Sequence, residues 1–306
     1  MRRGRLVAAL TAFVAVGAGA FWYIQSGSGD GGSTEATFAN DRKKPGAFPD
    51  AASTGVRDGV SLRAYDGPCT IEDSGYVIDS RDVRCPLVIK ASDVVIRNSK
   101  VTGTVKVEGR ENSLLIEDSD IDGGEAYLHT VGFENVTVLR SDLKGGQSGV
   151  NCYYNCLVQD SYLHDPFVPE GEDWHLNAFL SNGGKNIKLI GNTLACNRPT
   201  NAAGGGCTSN ASIFGDLGPN SDYTIEGNLF VASDEMSYCF YGGHDPNKKY
   251  GTQAERIVIK DNVFQRGSTG KCASFGAVTS YNVAGTGNVW QNNKWDDGKP
   301  FDSPAQ

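Results

Sequence analysis

The 306-residue chain reads as an all-β solenoid of about eight coils. A hydrophobic N-terminal helix and a flexible tether precede it. Three observations predict this. One phrase recurs: DVVIRNSKVTG at 93–103, NSLLIEDSDIDG at 112–123, NVTVLRSDLKG at 135–145 and NCLVQDSYLHD at 155–165. NIKLIGNTLAC, DYTIEGNLFVA and RIVIKDNVFQR follow, with a worn copy, NVWQNNKW, at 288–295. Second, apolar residues alternate with period 2 inside each copy, the mark of a strand with one buried face. Third, each copy carries one Ser or Asn anchor: Ser99, Ser119, Ser141, Ser161, Asn192, Asn228, Asn262 and Asn293, spaced 20 to 36 residues apart. No copy is long enough to bury itself, so stability must come from stacking coil on coil.

Taken in order, residues 1–25 open with Arg2, Arg3 and Arg5 and continue into an uncharged apolar run from 6 to 24. It reads as a signal peptide cleaved after Ala20, which leaves the protein secreted. The reading preferred, because of the aromatic cluster, is a transmembrane anchor with Phe21, Trp22 and Tyr23 at the far interface. Either way everything beyond is extracytoplasmic, and the membrane is met only through this segment. Residues 26–44, rich in Gly, Ser and charge, form a linker. Residues 45–297 form the repeat domain, opening on an entry segment at 46–85 whose simplest role is to cover the first layer. Residues 298–306 end the chain as a tail, and fraying is expected from 296 onward. Coils are compact up to residue 165, then carry insertions at 166–174, 198–210, 243–255 and 267–272. Such insertions tend to project from one binding face.

A net charge of −8 excludes a nucleic-acid partner, which needs a basic face. Eight cysteines behind an export signal imply disulfides. Sequence alone leaves 105 pairings open. Pairing of neighbours, 69–85, 152–156, 196–207 and 239–272, is expected because each bridge then pins one turn or insertion. Cys69, Cys85, Cys152, Cys156, Cys196, Cys207, Cys239 and Cys272 are all used.

The repeat resembles the right-handed parallel β-helix of the pectate-lyase-like superfamily, over roughly 46–297. The series Asn192, Asn228, Asn262 and Asn293 is similar to the inward asparagine ladder of that fold. A left-handed turn that Asn tolerates, and amide stacking between coils, give it a physical basis. The resemblance implies action on, or binding of, polysaccharide by a monomer. A polysaccharide lyase is the first reading. A non-catalytic glycan-binding or structural surface module is the alternative.

Candidate chemistry concentrates at 164–177, HDPFVPEGEDWHLN. The stretch from His175 resembles a His-x-Asp-Gly-Ile-Gln pattern of β-helix proteins. Asn177 stands in place of Asp, Ala178 of Gly and Leu180 of Gln, so a carboxylate that would orient His175 is missing. His175, Tyr153 and Lys185 are the catalytic candidates, since elimination from a uronate needs a base and a neutralising cation. His129, Asn151, Trp174, Asn177 and Arg198 are substrate-binding candidates, the Trp ring suiting a sugar face. A groove lined by His129, Asn151, Tyr153 and His175 is expected. His175 and Asn177 also read as locally satisfied residues at a strand start. Glu170, Glu172 and Asp173 are candidate ligands for Ca²⁺, the one cofactor considered. Hydrolysis needs two carboxylates flanking the bond, and no convincing pair is present. Polygalacturonases of this fold carry Asn-Thr-Asp and Asp-Asp blocks. The first is missing here, and Asp296-Asp297 falls at the chain end.

Overall fold

The computed structural model describes residues 41–44, 46–302 and 304. The N-terminal segment and most of the linker lie outside the described residues. Among those described there are strands and turns but no helices, and no helix long and apolar enough to cross a membrane.

Every strand pairing in the body of the fold is parallel, and each strand pairs with its counterpart one coil away. Three ladders result. The first holds ten strands, from Arg63–Ala64 to Lys294–Trp295. The second runs from Thr70–Ile71 to Gly276–Thr279, and the third from Val77–Asp79 to Val289–Gln291. The 12-residue strand Ser148–Gln159 bends from the second ladder into the third and fuses them into one sheet. The architecture is all-β with long parallel sheets, compatible with a parallel β-helix. Among the described residues nine coils are complete, one more than the anchors suggest. The additional coil is the first, inside the segment read as an entry cap. Its anchor position is Arg81, whose amide donates to Ser99 Oγ at 3.0 Å.

Alternation fills the core. On the first ladder Val83, Val101, Ile121, Leu143, Leu163, Leu194, Phe230 and Phe264 stand in register and are almost fully buried. Phe230 and Phe264 stack at 4.4 Å. Ile78, Ile96, Ile116, Val138 and Val158 make the matching column of the third ladder. A strand spacing near 4.8 Å lets each aliphatic group cover the next, which is how short strands bury area they could not bury alone.

The anchors form a continuous buried ladder. Ser99, Ser119 and Ser141 each accept a bond of 3.3 Å or less from the amide of the preceding coil and return a bond to a nearby carbonyl. Asn192 Nδ2 donates to Val158 O (2.8 Å) and Asn228 Oδ1 (3.0 Å), and Asn228 and Asn262 repeat the pattern. The left-handed backbone falls one residue before each anchor, not on it. Asn98, Asp118, Arg140, Asp160, Asp261 and Asn292 take φ between 46° and 57°, with Gly191 and Gly227 filling the remaining two positions. The Asn at the anchor is therefore selected by its amide, not its backbone. A second, solvent-side ladder joins Asn135, Asn155 and Asn186 at 2.9 and 3.0 Å.

The four disulfides are Cys69–Cys85, Cys152–Cys156, Cys196–Cys207 and Cys239–Cys272, the neighbour pairing expected. They fit an oxidising, extracytoplasmic compartment.

Both ends of the domain are tied down. Arg42, within the segment read as linker, donates to Thr54 O, Gly55 O and Asp118 Oδ1. Lys43 Nζ meets Asp160 at 2.6 Å, and Thr193 Oγ1 donates to Pro49 O. Residues 42–56 thus strap four coils before the first strand begins. Residues 296–301, read as tail, turn back onto the last coil, where Phe301 packs on Trp290, Trp295 and Phe264.

Candidate functional site

The second ladder is where the sequence candidates gather, and its strand order separates them into two groups. His175 opens strand His175–Ser181 and is exposed, its Nδ1 3.3 Å from Thr208 Oγ1. Lys185 lies past the other end, in register with Tyr154 and 3.9 Å from Asp222. Six residues separate His175 from Ser181, roughly 20 Å at strand rise. The structure therefore sets His175 apart from the other two catalytic candidates, Tyr153 and Lys185, whose backbones lie on neighbouring coils one register position apart. Tyr153 groups also with His129 and Asn151.

At the trailing group, His129 Nε2 and Asn151 Nδ2 are 2.7 Å apart. Phe133 lies edge-on to His129 at 5.7 Å and stacks with Tyr153 at 5.6 Å. Alternation alone would send Phe133 inward with Val131. It is instead partly exposed and packs against Tyr153, next to a register shift between Phe133 and Glu134, so a period-2 reading misses it. Burial pulls the His129 pKa down to about 4, so the ring is neutral at physiological pH. Burial raises the Tyr153 pKa, against a lowering contact from Asn151, so its phenol stays protonated and serves as a hydrogen-bonding group rather than a base. Lys106 Nζ stands 5.8 Å from the Phe133 ring and is held by Glu108 at 2.9 Å.

At the leading edge, Trp174 meets Tyr127 edge-on at 4.9 Å and donates from Nε1 to Glu172. Tyr127 and His129 belong to the same loop, 123–130. That loop links the two groups into a row: Trp174, Tyr127, His129, Phe133, Tyr153. A further aromatic set, Phe214, Tyr238, Tyr241 and Phe275, continues along later coils, with Phe275 68% exposed.

The remaining candidates are placed differently. Asn177 is buried, its Oδ1 accepting from Ser209 Oγ (3.0 Å) and Ser212 Oγ (2.8 Å), the locally satisfied arrangement. Arg198 lies over the Phe167 ring at 5.4 Å. Glu170, Glu172 and Asp173 are exposed, and among the described residues no group of three His, Cys, Asp or Glu side chains is placed to hold a metal ion. A shallow depression of about 410 Å³ lies elsewhere, on the first ladder, lined by Leu62, Ala64, Asp82, Arg84, Lys100 and Thr102. No protein-family model, curated protein or solved structure matches the chain.

Proposed function

We propose that the chain is an extracytoplasmic right-handed parallel β-helix protein, of pectate-lyase-like type, that binds polysaccharide along the outer side of its second ladder. The observation that carries this reading is the aromatic row Trp174, Tyr127, His129, Phe133 and Tyr153, with Asn151 beside it. Ring faces match the apolar faces of sugars, and an amide at the row's centre supplies orientation. A parallel stack suits a linear polymer, because successive coils repeat the same surface at a fixed spacing.

Lysis is a second reading, favoured by the neutral His129 and the Tyr153 hydroxyl lying together beside Asn151. Elimination would need His129 as the base and Lys106 to neutralise the uronate carboxylate. The purified full chain should be incubated with uronate and neutral polymers, following ultraviolet absorbance of unsaturated product, then reducing ends, then retention on immobilised glycan. Retention without cleavage is expected. Unsaturated product that disappears in His129→Ala establishes the lyase instead. Neither cleavage nor retention overturns the polysaccharide reading.

A further inference from the structure

Three buried side-chain atoms without a hydrogen-bond partner lie on neighbouring coils of the second ladder: His129 Nδ1, Ser148 Oγ and Asn151 Oδ1. Ser148 and Asn151 are 0% and 1% exposed. An unsatisfied buried polar atom is unfavourable, and a native fold that keeps three of them together needs a reason. The same positions one and two coils further on are satisfied. Ser148 stands in register with Asn177, and Asn177 with Ser209. Asn151 stands in register with Leu180, and Leu180 with Ser212. Ser209 and Ser212, three residues apart, touch at 2.7 Å, so the two columns converge where the strand bends. Asn177 is drawn to that pair.

His129 borders both other members: its ring meets Asn151, and the backbone that carries it pairs with the coil of Ser148. The backbone on both sides is fixed: Gln147 N donates to Leu128 O at 3.1 Å, and Thr130 N donates to Ser148 O at 2.8 Å. The imidazole can therefore swing away by a rotamer change while its backbone stays put, giving up its one hydrogen bond to Asn151. The ring that would move lies between Phe133 and the Asn151 amide, beside Tyr153, with the Ser148 hydroxyl on the next coil. None of these groups is charged, and burial holds His129 neutral. Hydroxyls that both donate and accept match this set, whereas a carboxylate would meet acceptor and neutral donor alone.

We propose that Ser148, Asn151 and the displaced His129 form an uncharged subsite for a hydroxyl-bearing neutral sugar ring of the bound polysaccharide. The inference rests on the polysaccharide reading above and narrows its substrate class from polysaccharides in general to neutral glycans.

The test is affinity electrophoresis of the full chain through gels cast with a β-glucan, a xylan, a galactomannan or polygalacturonate, with urea unfolding run on each variant. At least one neutral polymer should retard the protein. Ser148→Ala and Asn151→Ala should each weaken that retardation about tenfold or more. Ser148→Ala should leave the unfolding midpoint unchanged or raised, because it deletes an unpartnered hydroxyl. Retardation by polygalacturonate alone overturns the neutral class. Retardation by a neutral polymer that neither variant alters overturns the subsite and leaves the polysaccharide reading standing. A lowered midpoint in Ser148→Ala with binding intact does the same, marking a hydroxyl that holds structural water. Retardation by no polymer overturns both.

Discussion

Replacing Asn228 by alanine removes four hydrogen bonds from the interior of the stack. Asn228 Nδ2 donates to Leu189 O at 2.8 Å and to Asn262 Oδ1 at 3.0 Å. Its Oδ1 accepts from Asn192 N at 2.9 Å and from Asn192 Nδ2 at 3.0 Å. Asn192 Nδ2 keeps Val158 O, and Asn262 Oδ1 keeps the Asn228 amide. The Asn192 amide and one side of the Leu189 carbonyl lose their partners in a site 0% exposed. At about 1–3 kcal/mol for each buried group left unsatisfied, the loss is about 2–6 kcal/mol. Ser141→Ala removes two bonds, to Ser119 N and Leu139 O, and should cost about 1–2 kcal/mol. Asn155→Gly is the control. Asn155 belongs to the exposed ladder, water replaces its amide, and glycine tolerates its φ of 55°, so about 1 kcal/mol or less is expected. Equilibrium urea unfolding reads all three as midpoint shifts at unchanged slope. The buried ladder is not what holds the coils together if Asn228→Ala costs no more than Asn155→Gly.

Three other outcomes follow from the same contacts. Burial lowers the His164 pKa, but hydrogen bonds to Asp142 (2.8 Å) and Asp165 (2.6 Å) outweigh it and leave it raised above 6.5. Its stabilisation is then complete below pH 6.5 and lost as pH rises through the raised value, so unfolding midpoints should fall over that window and His164→Gln should flatten the fall. Cys239–Cys272 spans 33 residues and Cys152–Cys156 spans 4, so paired serine substitutions should cost about 4 and about 2 kcal/mol, read by denaturant unfolding. Asp118, nearly buried, takes Arg42, Arg57 and Arg140 within 3.2 Å. Asp118→Ala should therefore cost about 3 kcal/mol or more and speed proteolysis of the strap at 42–56.

How much was legible in the chain depended on whether a feature repeats or is local. The anchors could be read because a Ser or Asn recurring at a fixed phase beside an apolar strand can be buried only by bonding to the neighbouring coil. The disulfides could be read because each pair flanks one turn or insertion. The first coil escaped because Arg81 occupies its anchor position, and side-chain identity was the only cue. The strap escaped because Arg42 and Asp118 are 76 residues apart, and nothing in a charged linker marks which partner it will find. At the candidate site, His129 and Asn151 were placed on neighbouring coils by their strand phase, and they meet. His175 was joined to Tyr153 and Lys185 by closeness in sequence; those two lie on neighbouring coils, but His175 stands a strand's length away, because sequence in a solenoid runs along the strand. Phe133 was missed because it is partly exposed where alternation with buried Val131 points it inward, and Ser148 because a buried serine in strand phase with Val150 carries no sign that its hydroxyl has no partner.

Hydrogen–deuterium exchange of the full chain, with and without a polysaccharide that retards it, tests the central claim most directly. Bound polymer should slow exchange in 123–134 and 147–154, the segments carrying Tyr127, His129, Phe133, Asn151 and Tyr153, and leave the first-ladder depression at Asp82, Arg84 and Lys100 unchanged. Protection at that depression, with 123–134 and 147–154 unaltered, would contradict the account.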